Sequence, residues 1–438
     1  MASAPVAAPA NGTTASSSGT STSYLAPLSV LTSLFFMWGF LTCLNDFLIP
    51  HLKGVFELSY AKAMLVQFAF FTAYFVLSIP SGFVVKKLGY KTGIIVGLLV
   101  AGLGCVLFYP SASARSYVMF LMALFVLASG IVLLQVAANP FVALLGKPET
   151  ASSRLTMTQA FNSLGTTLAP FFGAAFILSN EVKSSAALAQ MSPAAVEAYK
   201  ISEATSVQHP YLGLAGALVL LAVAIAAFKL PKVVGGAVEG QAPSTPDDTA
   251  AKSAWSYRHL VLGAIAIFVY VGGEVSIGSF LVSYFKEPDI GGLAEASGGK
   301  LVFLYWGGAM VGRFIGTFTL RMWKPNKVLV AHALGVIALV AITMLTTGAV
   351  ARYSILAVGL FNSIMFPTIF TLAINGLGKS TDQGSGILCT AIVGGALLPV
   401  LQGVVADGIG VHHCFIVAAL CYVYIAWYGA KGSTPKTA

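Results

Sequence analysis

Gln135-Val-Ala-Ala-Asn139-Pro140-Phe-Val-Ala-Leu-Leu-Gly146 closes one long apolar run, and Asn362-Ser-Ile-Met-Phe366-Pro367-Thr-Ile-Phe-Thr-Leu-Ala-Ile-Asn-Gly376 closes another. Each places an amide five residues before a proline. Two further pairs occur in the same order along the chain. Gly165 stands five residues before Pro170, as Gly394 stands five before Pro399. Gly82-Phe-Val-Val-Lys86-Lys87-Leu-Gly89-Tyr-Lys91 has its counterpart in Gly316-Thr-Phe-Thr-Leu-Arg321-Met-Trp-Lys324-Pro-Asn-Lys327. Three matched pairs in matching order indicate an internal duplication. The runs that carry them are too long and too apolar for a water-soluble core. The chain is 57% hydrophobic and 9% charged, against about 25% charged residues in a soluble domain. Lipid is the solvent that fits, and there an α-helix satisfies its own backbone. The 45 glycines and 19 prolines then read as helix packing and bending within the bilayer.

A bilayer core takes about 20 apolar residues per helix, and twelve such runs are present. The first six span approximately 27–50, 61–85, 91–110, 117–146, 155–179 and 210–230. The second six span approximately 258–285, 299–321, 327–349, 353–377, 383–408 and 413–430. The expected fold is all-α, with twelve transmembrane helices in two pseudo-symmetric six-helix halves. The halves fall at 26–231 and 257–431, joined by a polar linker over 232–256 that contains Glu239-Gly-Gln-Ala-Pro-Ser-Thr-Pro-Asp-Asp248. Residues 1–25 and 432–438 read as cytoplasmic tails, the first disordered and without the basic start of a signal peptide. With the N-terminus inside, cytoplasmic segments hold fifteen Lys and Arg and the opposite side eight, with Arg313 inside a helix. That bias puts both termini in the cytoplasm. The net charge of +9 belongs to these loops, and no basic stripe with aromatics suggests nucleic acid. The five cysteines match neither zinc nor disulfide spacing and read as packing residues. Two related halves place a small-molecule site near the midplane, where the halves meet and rock.

Of the 15 acids, Asp46 and Glu274 lie well inside predicted helices. An acid at mid-bilayer costs about 2.5–3.5 kcal/mol on insertion scales, so both are candidates for handling a coupling ion or sugar hydroxyls. Each has a plainer reading: Asp46 as a solvated helix end, Glu274 as an acid bonded to a neighbouring helix. Amides offer both donors and acceptors to a polyhydroxylated ligand; the substrate candidates are Asn45, Gln135, Asn139, Gln159, Asn162 and Asn362. Trp38 and Trp306 suit the C–H face of a pyranose. Interhelical hydrogen bonding is the competing role for the amides. Phe35, Phe36, Phe68, Phe70 and Phe71 read as packing or lipid contacts. Arg313, with Lys86 and Lys87 at the inner end of the second run, is a gate candidate. No phosphate-cradling loop, metal cluster or catalytic constellation emerges, so neither an enzyme nor a cofactor is expected.

Residues 26–430 resemble the major facilitator superfamily, and within it the fucose permease-like family. The resemblance rests on Leu44-Asn-Asp-Phe-Leu-Ile-Pro50, Ala137-Ala-Asn-Pro-Phe-Val142, Gln159-Ala-Phe-Asn-Ser-Leu-Gly165 and Phe361-Asn-Ser-Ile-Met-Phe-Pro-Thr-Ile-Phe370. Tyr270-Val-Gly-Gly-Glu-Val-Ser-Ile-Gly-Ser-Phe-Leu281 and Tyr305-Trp-Gly-Gly-Ala-Met-Val-Gly-Arg313 point to its glucose/galactose transporter branch. The resemblance implies secondary active uptake of a hexose. It matches Asp46 to a proton-coupling acid of the first helix. The second acid of fucose permeases, in the fourth helix, matches Gln135, which cannot exchange a proton. Where those permeases carry an amide in the seventh helix, this chain has Glu274, the candidate replacement. Sodium is the alternative coupling ion, since the related transporters include sodium-coupled members.

The function expected is cation-coupled symport of a hexose such as glucose or galactose, by a lipid-embedded monomer in a bacterial inner membrane. N-acetylglucosamine, fructose, mannose and fucose are the alternative cargoes. A sugar-sensing receptor and a channel are alternatives of other classes. The first calls for an added signalling domain, the second for the absence of uphill accumulation.

Overall fold

The computed structural model describes residues 24–56, 60–176, 190–206, 208–234, 237–238 and 253–435; residues 44–56, 60–67 and a few others are described as backbone only. Among the described residues the fold is all-helical apart from one short hairpin, Val233–Val234 with Ala237–Val238. The first half comprises α1 (Leu25–Phe56), α2 (Tyr60–Leu88), α3 (Tyr90–Ser113), α4 (Tyr117–Leu144), α5 (Ala151–Phe176), a short α6 (Pro193–Ser206) and α7 (Gln208–Ala227). The second comprises α8 (Arg258–Lys286), α9 (Glu295–Met322), α10 (Pro325–Leu345), the broken pair α11 (Gly348–Asn362) and α12 (Met365–Ile374), the broken pair α13 (Thr381–Thr390) and α14 (Gly394–Ile409), and α15 (Ile416–Trp427). Ten spans among the described residues are long and apolar enough to cross a bilayer. Together with α5 and the shorter Ile416–Gly432 segment they make twelve rods. Most of the linker anticipated at 232–256, and both expected tails beyond 24–435, lie outside the described residues.

The duplication appears in the packing. In the first half α1 packs on α5, α2 on α4, and α3 on α4 and α7; in the second α8 packs on α14, α9 on α11, and α10 on α11 and α15. The paired glycines occupy equivalent crossings. A Cβ at Gly165 would lie 2.2 Å from the Phe36 carbonyl oxygen of α1, and a Cβ at Gly394 would lie 2.0 Å from the Phe268 carbonyl oxygen of α8. Only glycine allows these backbones so close.

Two runs expected as continuous helices are interrupted. The span over 353–377 breaks between Asn362 and Met365, and that over 383–408 breaks at 391–393. Apolar composition says nothing of such breaks; at the first of them Pro367 does part of the work, and Pro140, inside the unbroken α4, frees a carbonyl in the same way. Pro367 has no N–H for the Ser363 carbonyl four residues back, and Pro140 has none for Val136. The Arg313 Nε takes the first carbonyl at 3.2 Å, and the Ser385 hydroxyl takes the second at 2.8 Å.

The halves close on each other at the end that carries the basic loops. There Ser152 Oγ and Thr371 Oγ1 lie 2.6 Å apart, Ser153 donates to the Thr317 carbonyl at 2.7 Å, and Arg321 Nε donates to Ser153 Oγ at 3.2 Å. Gly82 of α2 keeps this closure tight, since a Cβ there would meet the Asp382 carbonyl oxygen of the other half at 2.9 Å, while Gly316 of α9 makes room within its own half for the Ile364 side chain, 2.0 Å from where a Cβ would stand.

Candidate functional site

α5 is the most polar of the spanning helices. Ser152, Ser153, Thr156, Thr158, Gln159, Asn162, Ser163, Thr166 and Thr167 follow in little more than four turns. Lipid disfavours this surface, and α5 accordingly runs between α1, α4, α9 and α12. Where α5 meets α9, a cavity of about 490 Å³ opens between the halves. That size suits a small organic ligand. Thr42, Phe70, Phe71, Asn162, Ser163 and Thr167 wall it from the first half; Glu274, Val302, Trp306 and Arg313 wall it from the second. Arg313 and Ser163 stand on the side toward the closed end, and Gly299 and Val302 near the start of α9 mark the other end.

Glu274 is the one acid on this wall among the described residues. Its Oε1 lies 2.8 Å from the Tyr270 hydroxyl, and that hydroxyl also lies 3.1 Å from the Asn362 carbonyl oxygen. The Asn362 amide donates to the Tyr305 hydroxyl at 2.8 Å, which in turn donates to the backbone carbonyl of Glu274 at 3.2 Å. Residue 362 therefore lies one tyrosine away from Glu274 on two sides, Tyr270 standing at the carboxylate and Tyr305 at the backbone carbonyl. Arg313 crosses between the halves. Its guanidinium donates to Ser163 Oγ and, at 3.3 Å, to the Gln159 carbonyl, while Nε holds Ser363. A carboxylate, a guanidinium, an amide, hydroxyls and an indole thus share one wall. These groups recognise a neutral polyhydroxylated molecule and can hold a proton beside it.

Asn162, Trp306, Glu274 and Arg313 are brought together on the cavity. Asn162 donates one N–H to the Phe35 carbonyl at 2.9 Å, keeping its carbonyl oxygen for other partners. Trp306 is 45% exposed and stands edge-on to Tyr305, in space left by Gly278, where a Cβ would lie 3.0 Å from the indole. Gln135, Asn139, Gln159, Asn362 and Trp38 are buried away from the lining. Trp38 packs on Phe35 with ring centres 5.4 Å apart. Gln135 Oε1 and both polar side-chain atoms of Asn139 are buried with no hydrogen-bond partner among the described residues. Lys86 and Lys87 are exposed in the last turn of α2, at the closed end. Asn45 and Asp46 fall on α1 where side chains lie outside the described residues.

Sequence reasoning assigned no role to Tyr270, Tyr305, Ser163, Thr166 or Thr167. The i, i+4 spacing of Ser163 with Thr167, and of Asn162 with Thr166, was the available signal on α5. Both tyrosines lie inside the motifs at 270–281 and 305–313, but nothing local ties them to Asn362. Phe70 and Phe71, expected as packing or lipid contacts, stand on the cavity wall, while Phe35 is buried and Phe68 is exposed as expected.

The family model described as the Major Facilitator Superfamily matches residues 29–392. A glucose/galactose transporter of Brucella abortus biovar 1 (strain 9-941) is 57% identical over 406 residues, covering 93% of this chain and 94% of the relative. An L-fucose-proton symporter of Escherichia coli (strain K12) is 37% identical over 413 residues, covering 93% of each chain. A crystal structure of the transporter FucP in the outward conformation has a TM-score of 0.85 and 35% identity, covering 94% of this chain and 99% of that one. Matches of this length leave no room for another architecture: the chain belongs to the Major Facilitator Superfamily, a family of membrane transporters and not of enzymes, beside the glucose/galactose and fucose branch of relatives.

Proposed function

We propose that the protein is a sugar symporter of the bacterial inner membrane, carrying a hexose, glucose or galactose foremost, together with a proton by alternating access. The observation that carries this reading is Glu274, an acid on the wall of the cavity between the halves, bonded to Tyr270 and in electrostatic range of Arg313. An acid kept there at the cost of burial has a use in taking up and releasing an ion. The relatives' names support the rest. The 57% identical protein is named a glucose/galactose transporter, and the 37% identical one a proton symporter. Sodium draws no support from those names. The basic, closed end is placed in the cytoplasm with both termini, so the cavity faces outward and receives sugar from outside. Asn162 and Trp306 are assigned to the sugar, with Arg313, Lys86 and Lys87 to the inner gate. Asp46 stands as a second candidate for the coupling proton.

Uptake into proteoliposomes tests the proposal. Labelled glucose, galactose, N-acetylglucosamine, fructose, mannose and fucose are offered under separately imposed proton and sodium gradients. Glucose or galactose should accumulate on the proton gradient alone. Glu274→Gln should lose accumulation and keep exchange. Accumulation by the Gln variant at the wild-type level, or accumulation driven only by sodium, refutes the assignment.

A further inference from the structure

The break between α11 and α12 is filled by side chains from three different helices. His332 Nδ1 of α10 lies 2.9 Å from the Phe361 carbonyl oxygen, the Tyr270 hydroxyl of α8 lies 3.1 Å from that of Asn362, and Arg313 Nε of α9 lies 3.2 Å from that of Ser363. Two of the three have second partners. Tyr270 also reaches Glu274, and Arg313 also reaches Ser163 and Gln159 in the other half. A hydroxyl has one hydrogen to give, so Tyr270 can bond the Glu274 carboxylate or the Asn362 carbonyl, not both at once.

We infer that Tyr270 is the positioning residue that couples the proton on Glu274 to the contact between the halves, through the broken helix. This rests on the proposed role of Glu274. With Glu274 ionised, the charge-assisted bond at 2.8 Å wins the Tyr270 hydrogen, and the buried Asn362 carbonyl loses its donor. When a proton binds Glu274, the new carboxyl O–H donates to the Tyr270 oxygen and the Tyr270 hydrogen turns to Asn362. The only bonds exchanged are hydrogen bonds; the proton stays on the carboxyl. The capped break then holds Ser363 where Arg313 can bridge it to α5. Protonation thereby favours the arrangement seen here, with the cavity formed and the basic end shut. Among the described residues, the titratable and charged groups facing Glu274 are Tyr270 on its own helix, Tyr305 and Arg313 from α9, and Tyr422 from α15. Of these, Tyr270 alone is hydrogen-bonded to both the carboxyl and the break.

The test is sugar exchange in proteoliposomes at equal internal and external pH, at pH values on either side of the Glu274 titration. The wild type should show a glucose KM lower on the acid side by about five- to tenfold, the scale of one buried hydrogen bond. Tyr270→Phe should hold the alkaline-side KM at every pH. Glu274→Gln should hold the acid-side KM at every pH, and adding Tyr270→Phe to it should restore the alkaline-side value. A Tyr270→Phe variant whose KM rises by the same factor at all pH values, keeping the wild-type pH ratio, marks a merely structural tyrosine and overturns the inference. If that variant does not reach the membrane, Glu274→Gln alone decides, since an alkaline-side KM there overturns it equally. The two readings separate cleanly. Loss of accumulation in Glu274→Gln with a wild-type pH ratio in Tyr270→Phe defeats only the relay. Accumulation intact in Glu274→Gln defeats the role of Glu274 itself.

Discussion

Pro140 and Pro367 each delete one helical N–H, and the carbonyl set free becomes a docking point. Val136 receives Ser385 across the interface between the halves, and Ser363 receives Arg313, which itself crosses to Ser163. The paired prolines were visible in the sequence; their acceptors were not. Ser385 lies 249 residues from Val136, and nothing local announces the pairing. Replacing Ser385 with Ala should leave a buried carbonyl without its donor and cost about 1–3 kcal/mol. The expected readout is a lower unfolding temperature of the purified protein, with greater exposure of the basic end to water-soluble thiol reagents in a Ser152→Cys background. Gly394 offers a harsher case. A Cβ would meet the Phe268 carbonyl at 2.0 Å, so Gly394→Val should prise α14 from α8 and destabilise by about 1–3 kcal/mol or more, measured as loss of folded protein on gel filtration after heating.

At the scale of helices, the two halves finish their ends differently. In the first, Arg154 donates to the carbonyls of Val142 at 3.3 Å and Ala143 at 2.6 Å, capping α4, and Lys91 Nζ reaches those of Ala226 and Phe228 at the end of α7. In the second, ring nitrogens of His259, His332 and His412 meet the carbonyls of Asn375, Phe361 and Met344. Each histidine must therefore carry its hydrogen on the contacting nitrogen. Arg154 is one of the fifteen basic residues that the loop-charge count places on the cytoplasmic side; inside the first turn of α5 it is also a helix cap for α4. In the run over 353–377 Pro367 was the one local sign of a break, and it did not decide the matter, because apolar residues suit a continuous and an interrupted helix alike. What separates them is a set of donors on α8, α9 and α10, none adjacent in sequence. Pro367→Ala returns an N–H to the Ser363 carbonyl and frees Arg313. We expect weaker closure of the basic end and a loss of coupled uptake larger than the loss of exchange, compared in the same vesicles.

Over the whole molecule, the twelve rods and their two-fold kinship were legible because lipid imposes length and because duplicated glycines and prolines survive as a pattern. The cavity was legible in part. Asn162, Trp306, Glu274 and Arg313 stood out as polar or aromatic exceptions in apolar runs, whereas Gln135 and Asn139 were equally exceptional yet lie buried off the wall. Polarity shows that a residue avoids lipid, not which protein surface it meets. Closure at one end makes a whole-molecule prediction. With the native cysteines replaced, Ser152→Cys and Thr371→Cys substitute hydroxyls 2.6 Å apart. Their oxidation should lock the halves and abolish sugar exchange, with dithiothreitol restoring it, and exchange that persists in the fully oxidised pair would show that this end need not part. The polarity of α5 bears also on how the chain is made. A segment so rich in hydroxyls and amides partitions poorly from the translocon into oil by itself. During synthesis α5 must shelter against α1 and α4, its partners already emerged, so mutations that loosen those neighbours should surface first as failed biogenesis and only afterwards as failed transport.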